Sequence, residues 1–407
     1  MNKALNFNSF DRTKQLNYLF ILFAFSFPLS KALTNFVEIL AIIIWISQGD
    51  FRNRLVLFKS NLLIMSYFLF VIISAVSVLF YNDLGDAWDY IAKYRHFWMI
   101  LIFYTALDKK YIQYIFSAFL ISVLISELMS YGIYFQLFTY KDATPQLPTP
   151  FLHHITYSII LSFASVILLS RVFSEDKAWI RLLELIFFFT VVTNLYMNGG
   201  RTGQLAFTVL ILIFFISYFE KKLRAMFLSL SSIIIIISLA YNLSPNFKSR
   251  VHQLEQGFSK AFYEKDYTDQ GGMRLSMIIV GTKIFLDNPI FGVGIGNQMR
   301  DANTYAQAAN LNTRDMNTFA DYHNIFINIS VQLGLVGLLS LLCMFYALYT
   351  LEIKTKQYRI LLKLFVVAFF IFSLTHNTIH LMNSLVFLSL FSGLFNAIAR
   401  LECTKNT

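Results

Sequence analysis

The sequence predicts an all-α polytopic membrane protein with about 12 transmembrane helices and one long loop on the outer side. Apolar residues make up 57% of the 407 residues and charged residues only 14%, and the mean hydropathy is +0.59. A soluble protein of this length needs far more polar surface. Uncharged runs of about 15 to 25 residues recur along the whole chain, and runs of this length suit membrane-spanning helices.

Twelve apolar runs are the predicted spans, and short polar segments separate most of them. Pro28 lies near the junction of the first two, which favours a tight hairpin there. The runs lie at roughly 16–30, 33–48, 61–80, 91–107, 111–138, 155–170, 179–197, 202–219, 225–242, 324–350, 361–374 and 381–399.

The basic residues are distributed unevenly between the two sides of this arrangement. With both termini cytoplasmic, the inside segments contain 20 of the 33 basic residues and the short outside segments contain five. The other eight lie in residues 243–322, where eight acidic residues balance them. This bias follows the positive-inside rule, so the net charge of +10 indicates topology and no nucleic-acid partner. It predicts transmembrane helices 1–9 in residues 1–242, an outside loop in 243–322 and helices 10–12 in 323–407.

The long outside loop contains an amphipathic helix in the stretch GGMRLSMIIVGTKIFLDNPIFGVGIGN, residues 271–297. Its apolar stripe consists of four residues at helical spacing, Met273, Met277, Val280 and Ile284. Such a stripe predicts a helix that lies on the membrane surface or caps the bundle. The sequence GVGIGN follows this helix and begins no new one, so it is not a dinucleotide fingerprint.

Three residues on the outside are candidates for chemistry. Arg201 follows two glycines and begins a span, where the positive helix end and a guanidinium suit a phosphate. Arg274 also follows two glycines and begins the loop helix. His323 stands at the start of the tenth span, where the helix dipole lowers its pKa and favours a neutral base. The simpler interpretations are an arginine at lipid headgroups, a solvated arginine and an interfacial histidine.

Other residues give weaker signals. Lys93 and Arg95 lie where the fourth span enters from outside, and each is a candidate partner for Glu38 within the membrane. His376 and His380 share an outside turn at a spacing that suits a metal. No acidic residue accompanies them between 353 and 401, so no metal site is predicted.

Three stretches together resemble the bacterial O-antigen ligase and polymerase superfamily. They are GGRTGQLAF at 199–207, MRLSMIIVGTKIFLDNPIFGVGIGN at 273–297 and YHNIFINISVQLGLVGLL at 322–339. An arginine opens a mid-chain span, a second begins a loop helix, and a His-Asn pair opens the next span. The twelve-span layout with one long loop before the His-Asn span is also similar.

The resemblance implies a glycosyltransferase in the bacterial inner membrane that uses no metal and no cofactor. Its donor would be a glycan on undecaprenyl pyrophosphate, and its active site would face the periplasm. Arg201 and Arg274 would correspond to the arginines that bind the pyrophosphate, and His323 to the essential histidine. We also expect Lys93, Arg95 and Asn324 to contact the substrates.

The acceptor separates the members of this superfamily. A ligase uses a sugar of lipid A–core and completes lipopolysaccharide, a polymerase uses another lipid-linked repeat unit, and a protein O-oligosaccharyltransferase uses serine or threonine. The late position of the long loop favours a ligase, and the other two stay open. A transporter or flippase of lipid-linked glycans is the alternative from another class, although the basic residues gather at one face and no inverted repeat is present.

Overall fold

A computed structural model describes residues 11–49, 51–59, 61–79, 87–260, 263 and 266–403. Within these ranges the secondary structure is helical and no β-strand forms. The α-helices are α1 (Arg12–Ser26), α2 (Lys31–Ser47), α3 (Phe51–Lys59), α4 (Leu62–Val78), α5 (Ala87–Lys93), α6 (Trp98–Ala106), α7 (Ile112–Tyr134), α8 (His154–Val172), α9 (Ala178–Met197), α10 (Arg201–Tyr218), α11 (Lys222–Leu243), α12 (Pro245–Ser259), α13 (Gln270–Asp287), α14 (Ala302–Ala308), α15 (Ile325–Tyr349), α16 (Lys356–Thr375) and α17 (Met382–Cys403). Short 3₁₀ helices occupy Tyr94–Phe97, Lys109–Tyr111 and Met316–Thr318.

The protein is an all-α polytopic membrane protein, as the sequence predicts. In the described part of the chain, eight helices are long and apolar enough to cross a membrane, namely α7 to α11 and α15 to α17. The other four predicted spans also fall on helices, which are α1, α2, α4 and the helical run from α5 to α6. α1, α2 and α4 have only 15, 17 and 17 residues, and the 3₁₀ helix Tyr94–Phe97 interrupts the fourth run, so the total of twelve crossings stays a prediction.

The first two helices form the hairpin that Pro28 favours. The Ser30 hydroxyl caps α2 by accepting the backbone N–H of Leu33 at 3.2 Å. At the opposite end of the hairpin, the Arg12 guanidinium donates to the carbonyl of Ser47. The two helices therefore lie antiparallel along their whole length.

Burial separates central helices from peripheral ones. Most residues of α8 and α17 are buried, so these two helices lie at the centre of the bundle. In contrast, the only buried residues of α11 are Ala225, Ser229 and Ala240. Because α11 is strongly apolar all the same, its exposed side is suited to lipid.

The loop helix α13 buries the stripe that the sequence predicts. Met273, Met277, Val280 and Ile284 are at most 4% exposed. They pack with Val331 of α15 in a small apolar cluster of their own. The helix therefore caps the bundle at α15, which is one of the two positions expected for it.

The glycine-rich turn after α13 packs into a break in α15. Gly334 has φ 61° and ψ −154°, a conformation almost restricted to glycine, and it interrupts the helix. The N–H groups of Val293 and Gly294 donate to the carbonyls of Val331 and Gln332 at 2.8 and 2.9 Å. The turn thereby satisfies carbonyls that the break would leave unpaired inside an apolar helix.

α15 also donates a hydrogen bond back to the segment that follows α13. The N–H of Leu335, just after the break, donates to the carbonyl of Pro289 at 2.8 Å. A Cβ atom on Gly334 would lie 2.3 Å from the carbonyl oxygen of Ile290, so only glycine fits. The loop and α15 are thus joined through their backbones about ten residues below the start of α15, which fixes α13 relative to His323.

Candidate active site

The two candidate arginines and the candidate base lie at the starts of α10, α13 and α15, and the end of α16 joins two of these starts. The Thr202 hydroxyl, in the first turn of α10, hydrogen-bonds the Thr375 hydroxyl at 2.8 Å. Asn324, which caps α15, donates from Nδ2 to the carbonyl of Leu374 at 3.1 Å. Since α13 also packs on α15, the fold brings all three segments to one end of the bundle.

Glycines fix the position of Arg201 at the start of α10. A Cβ atom on Gly203 would lie 2.4 Å from the backbone of Ser158 in α8, so α10 and α8 are in direct backbone contact. The N–H of Gly200 donates to the Asn198 side chain at 2.9 Å, and that of Gly203 donates to the Ser158 hydroxyl at 3.2 Å. The N–H groups of both glycines are therefore occupied within the chain, so an anion at this helix start would be bound mainly by the Arg201 guanidinium.

The two guanidinium groups have different surroundings. Arg201 donates to Gln253 of α12 at 3.2 Å. The Arg274 side chain is exposed and makes no hydrogen bond or ion pair with the part of the chain that the structure describes, and the protein around it lowers its pKa by desolvation. Its charge in turn lowers the pKa of both His323 and His376. An uncompensated guanidinium beside neutral rings suits an anionic ligand.

His323 has a left-handed backbone conformation that Asp321 stabilises. Its φ is 49°, which is uncommon for a residue other than glycine. The carboxylate oxygen Oδ1 of Asp321 accepts the His323 backbone N–H at 2.7 Å and lies 3.4 Å from the ring nitrogen Nδ1. One carboxylate oxygen therefore bonds the backbone and lies near the ring, although Nδ1 makes no hydrogen bond within the described residues.

The pKa of His323 is lowered, as the sequence predicts, but mainly for another reason. Burial is the largest cause, the Asp321 carboxylate opposes it, and the Arg274 guanidinium adds to the lowering. His323 precedes the capping residue Asn324, so it lies outside the first turn of α15. The ring is neutral near neutral pH and keeps one nitrogen able to accept a proton.

Asn324 is occupied within the chain. Its Oδ1 accepts the N–H groups of Phe326 and Ile327 at 2.9 and 3.1 Å, which makes it the N-cap of α15. Its Nδ2 donates to the end of α16. These contacts hold the residue that follows His323 in one place.

A row of histidines, which the sequence analysis did not assign to the site, continues from His323. The His376 ring, just after α16, lies 6.1 Å from the His323 ring and only 17° from parallel with it. The His153 ring, before α8, lies 6.2 Å from His376 at 13°, and His154 lies 4.1 Å from His153. The adjacent histidines at 153–154 are visible in the sequence, but only the fold places them beside residues 323 and 376.

His380 belongs to a buried hydrogen-bond network and not to this row. Its Nε2 contacts the Tyr94 hydroxyl at 2.8 Å, and its Nδ1 contacts Nδ2 of Asn328 at 3.2 Å. Nearby, Gln332 donates to Gln298 at 2.6 Å. Burial lowers the pKa of His380 to about 3, so it is a neutral structural residue that joins the turn after α16 to α15. The described residues include no cluster of three or more His, Cys, Asp or Glu side chains that could hold a metal ion.

Comparison with known proteins adds the decisive observation. Residues 186–342 match the family model described as O-antigen ligase. This segment, which is less than half of the chain, is similar to the O-antigen ligase family. No curated protein matches it significantly. Members of the superfamily are membrane ligases and polymerases of the glycosyltransferase type, which act on lipid-linked glycans in a bilayer.

The part of the chain that matches the O-antigen ligase family contains Arg201, Arg274 and His323. His153 and His376 lie outside it, although they contact the same site. The resemblance drawn from three short stretches is thus confirmed at the level of the superfamily.

Lys93 and Arg95 lie in a different cluster near His380. The Lys93 ammonium lies 5.2 Å above the Tyr90 ring, and its charge adds to the lowering of the His380 pKa. Arg95 is exposed and donates to the carbonyl of residue 92 and to Asn35, both at 3.2 Å. Neither contacts the candidate base or the loop arginine.

Glu38 pairs with His96 rather than with Lys93 or Arg95. Its Oε2 lies 2.6 Å from Nδ1 of His96, and both side chains are at most 1% exposed. The sequence interpretation considered only the permanently charged neighbours. The histidine next to Arg95 is the one that points into the bundle.

Proposed function

We propose that this protein is an O-antigen ligase. It transfers a glycan from undecaprenyl pyrophosphate to lipid A–core at the periplasmic face of the inner membrane, and thereby completes lipopolysaccharide. The observation that supports this best is the position of neutral His323 beside the uncompensated charge of Arg274. A base for a hydroxyl and a cation for a leaving pyrophosphate are the two groups that such a transfer needs.

In this proposal the arginines bind the pyrophosphate of the donor. A guanidinium offers paired N–H donors that fit two phosphate oxygens at once. The Arg274 side chain makes no hydrogen bond or ion pair with the described residues. Arg201 donates to the neutral amide of Gln253, and a phosphate would accept from its guanidinium more strongly than that amide does. Both charges would stabilise the negative charge that develops on the pyrophosphate as its bond to the sugar breaks.

His323 is the proposed general base. In this proposal the proton of the neutral ring is on Nδ1, which lies 3.4 Å from the Asp321 carboxylate, so Nε2 is the nitrogen that accepts a proton. It takes the proton of the acceptor hydroxyl while that oxygen attacks the anomeric carbon. The bond between this carbon and the pyrophosphate oxygen breaks from the opposite side, so the configuration inverts, and the pyrophosphate leaves with the bonding electrons.

The remaining site residues have supporting roles in this proposal. Asn324 positions His323 through its cap on α15 and its bond to α16. Lys93 and Arg95 attract the anionic donor toward the site from the neighbouring cluster. No role in the proton transfer is needed from any of the three.

An apolar groove is available for the polyprenyl tail of the donor. It has a volume of about 410 Å³ and opens between α4 and α15. Its lining includes Ile72, Val76, Phe291 and Leu333, and Phe291 belongs to the turn that enters the break in α15. The tail would therefore lie in the membrane, next to the loop that carries Arg274.

Deletion of the gene from its own host tests the proposed function. We expect loss of long-chain lipopolysaccharide together with accumulation of polymerised glycan on the lipid carrier, both restored by the wild-type chain but not by His323→Ala. Unpolymerised single repeats on lipid A–core would instead indicate a polymerase. Unchanged lipopolysaccharide with loss of glycosylated proteins would indicate a protein O-oligosaccharyltransferase.

A further inference from the structure

His376 is held firmly in place within the histidine row. The Phe372 ring, one turn earlier in α16, lies 5.6 Å from it at 26°. The rings of His323 and His153 are near-parallel to it at 6.1 and 6.2 Å. Three neighbouring rings from three segments thus fix its plane.

The Nδ1 atom of His376 is buried and has no hydrogen-bond partner within the described residues. A buried polar atom without a partner is costly, so a ligand group that supplies one is bound favourably. Burial lowers the pKa of His376 to about 3, and the neighbouring His323, His153, Arg274 and His154 add to the lowering. The ring is therefore neutral throughout the physiological range.

We propose that His376, with His153 beside it, forms a subsite that binds hydroxyl groups of the acceptor sugar. This inference rests on the proposed function, and it deepens it by assigning residues to the acceptor. The acceptor hydroxyl that reacts must lie next to His323, so the neighbouring hydroxyls of the same sugar reach the next ring in the row. That ring is His376.

The chemistry of the subsite favours a hydroxyl over a phosphate. A neutral imidazole has one donor and one acceptor, and a hydroxyl has both as well. A phosphate offers acceptors only and would favour a protonated ring, which Arg274 and the adjacent histidines oppose. The arginines are the better phosphate partners in the same site. The row therefore divides the site into an anionic part and a sugar part.

His376 also lies between the proposed donor-binding residue Arg201 and the proposed base His323. Thr375, the preceding residue, hydrogen-bonds Thr202, and Thr202 follows Arg201 at the start of α10. On the other side, His376 faces His323. A sugar bound here is next to the base and close to the helix end that carries a pyrophosphate-binding arginine.

Two substitutions at one position test the subsite. His376→Phe keeps an aromatic ring against Phe372 but removes both nitrogens, whereas His376→Asn places an amide near the position of Nδ1. With purified protein in detergent, undecaprenyl-pyrophosphate-linked glycan and lipid A–core, we expect His376→Phe to raise the KM for lipid A–core about tenfold. We expect kcat and the KM for the donor to stay within about twofold, and His376→Asn to fall between Phe and wild type.

The pH dependence of the acceptor KM, compared with kcat, distinguishes a binding subsite from a role in proton transfer. The rise in acceptor KM should be the same from pH 6 to pH 9, because the ring does not titrate there. A loss of kcat with unchanged acceptor KM would indicate a proton path and would overturn the subsite. Wild-type kinetics in both variants would overturn it as well.

Controls keep the test decisive. His252→Asn on α12 changes an exposed histidine outside the row and should leave all constants unchanged. His153 is exposed, so His153→Asn should fold normally. It should also raise the KM for lipid A–core. This variant tests the subsite even if the His376 variants fail to fold. If the wild-type protein makes no product, the proposed function fails together with the subsite. If the wild type is active and neither variant changes the acceptor KM, only the subsite fails.

Discussion

A single carboxylate, that of Asp321, bonds the backbone of His323 and lies near its ring. Asp321 accepts the backbone N–H at 2.7 Å and lies 3.4 Å from Nδ1. Because Asp321 and Arg274 act on the His323 pKa in opposite directions, the base strength of the ring is a balance of two nearby charges on top of burial. At the scale of single residues, the site is therefore sensitive to charge as well as to shape.

Asp321→Asn keeps an oxygen for the backbone N–H but removes the charge. Since the carboxylate raises the His323 pKa, its loss lowers this pKa further. A base must be neutral to act, so wild-type activity falls as the pH drops through the His323 pKa, and this acidic limb lies below the ordinary value of about 6.5. We expect kcat/KM measured against pH to show the limb at still lower pH in Asp321→Asn.

Asp321→Ala is the matched variant, because it also removes the backbone contact. We expect it to lose more activity than Asp321→Asn. An acidic limb that moves to higher pH in Asp321→Asn, or equal activities of the two variants, would contradict the double role of this carboxylate.

The arginines are expected to act through geometry as well as charge. Arg201→Lys and Arg274→Lys keep the charge but lose the paired donors. We expect each to reduce kcat/KM for the lipid-linked donor roughly 10- to 100-fold at normal protein levels. Lys283→Arg, a change of cation elsewhere on α13, serves as the control. Near wild-type activity of both lysine variants would contradict the proposal that the arginines bind the pyrophosphate through paired donors.

At the scale of elements, the broken helix α15 joins the loop to the membrane domain. The glycine-rich turn donates to carbonyls at 331–332 and accepts from residue 335, so neither side of the break is left unpaired. The base lies at the start of α15 and Arg274 at the start of α13. The backbone contact near Gly334 therefore sets the distance between two groups that must act on one substrate.

Gly334→Ala should break this contact. Its φ of 61° strains any other residue, and the added Cβ would lie 2.3 Å from the carbonyl oxygen of Ile290. We expect a loss of at least about 2 kcal/mol of stability, measured as a lower thermal unfolding midpoint in detergent, with reduced transfer activity. Gly271→Ala is the control, since its nearest contact would be Asp269 at 3.5 Å. Equal midpoints for the two variants would refute the tight fit.

At the scale of the whole molecule, the distribution of charge sets the orientation. We predict that Lys260 in the long loop is periplasmic and that Lys222, the first residue of α11, is cytoplasmic. Both side chains are exposed, so cysteines there are accessible to reagents. The test uses a background without Cys343 and Cys403. An impermeant thiol reagent, in cells with a permeabilised outer membrane, should label Lys260→Cys only. Labelling of Lys222→Cys alone would reverse the orientation.

Much of this arrangement follows from local patterns in the sequence. Apolar runs predict the helices, and the stripe from Met273 to Ile284 predicts the buried face of α13, because both are periodic along the chain. The histidine row and the Glu38–His96 pair were missed because they join segments that are distant in sequence. The break at Gly334 was missed for a similar reason, since its partners lie about forty residues earlier.

The most direct test of the whole account is transfer by the purified protein in detergent, from undecaprenyl-pyrophosphate-linked glycan to lipid A–core. We predict that the wild type forms the glycosylated product without any sealed compartment. His323→Gln keeps hydrogen bonding but not proton acceptance, so it should lose about 10²- to 10⁴-fold in rate. If the wild type forms product only in sealed vesicles, or not at all, the proposed transferase activity is contradicted and a transporter is favoured. A His323→Gln variant that retains most of the rate would contradict the general base.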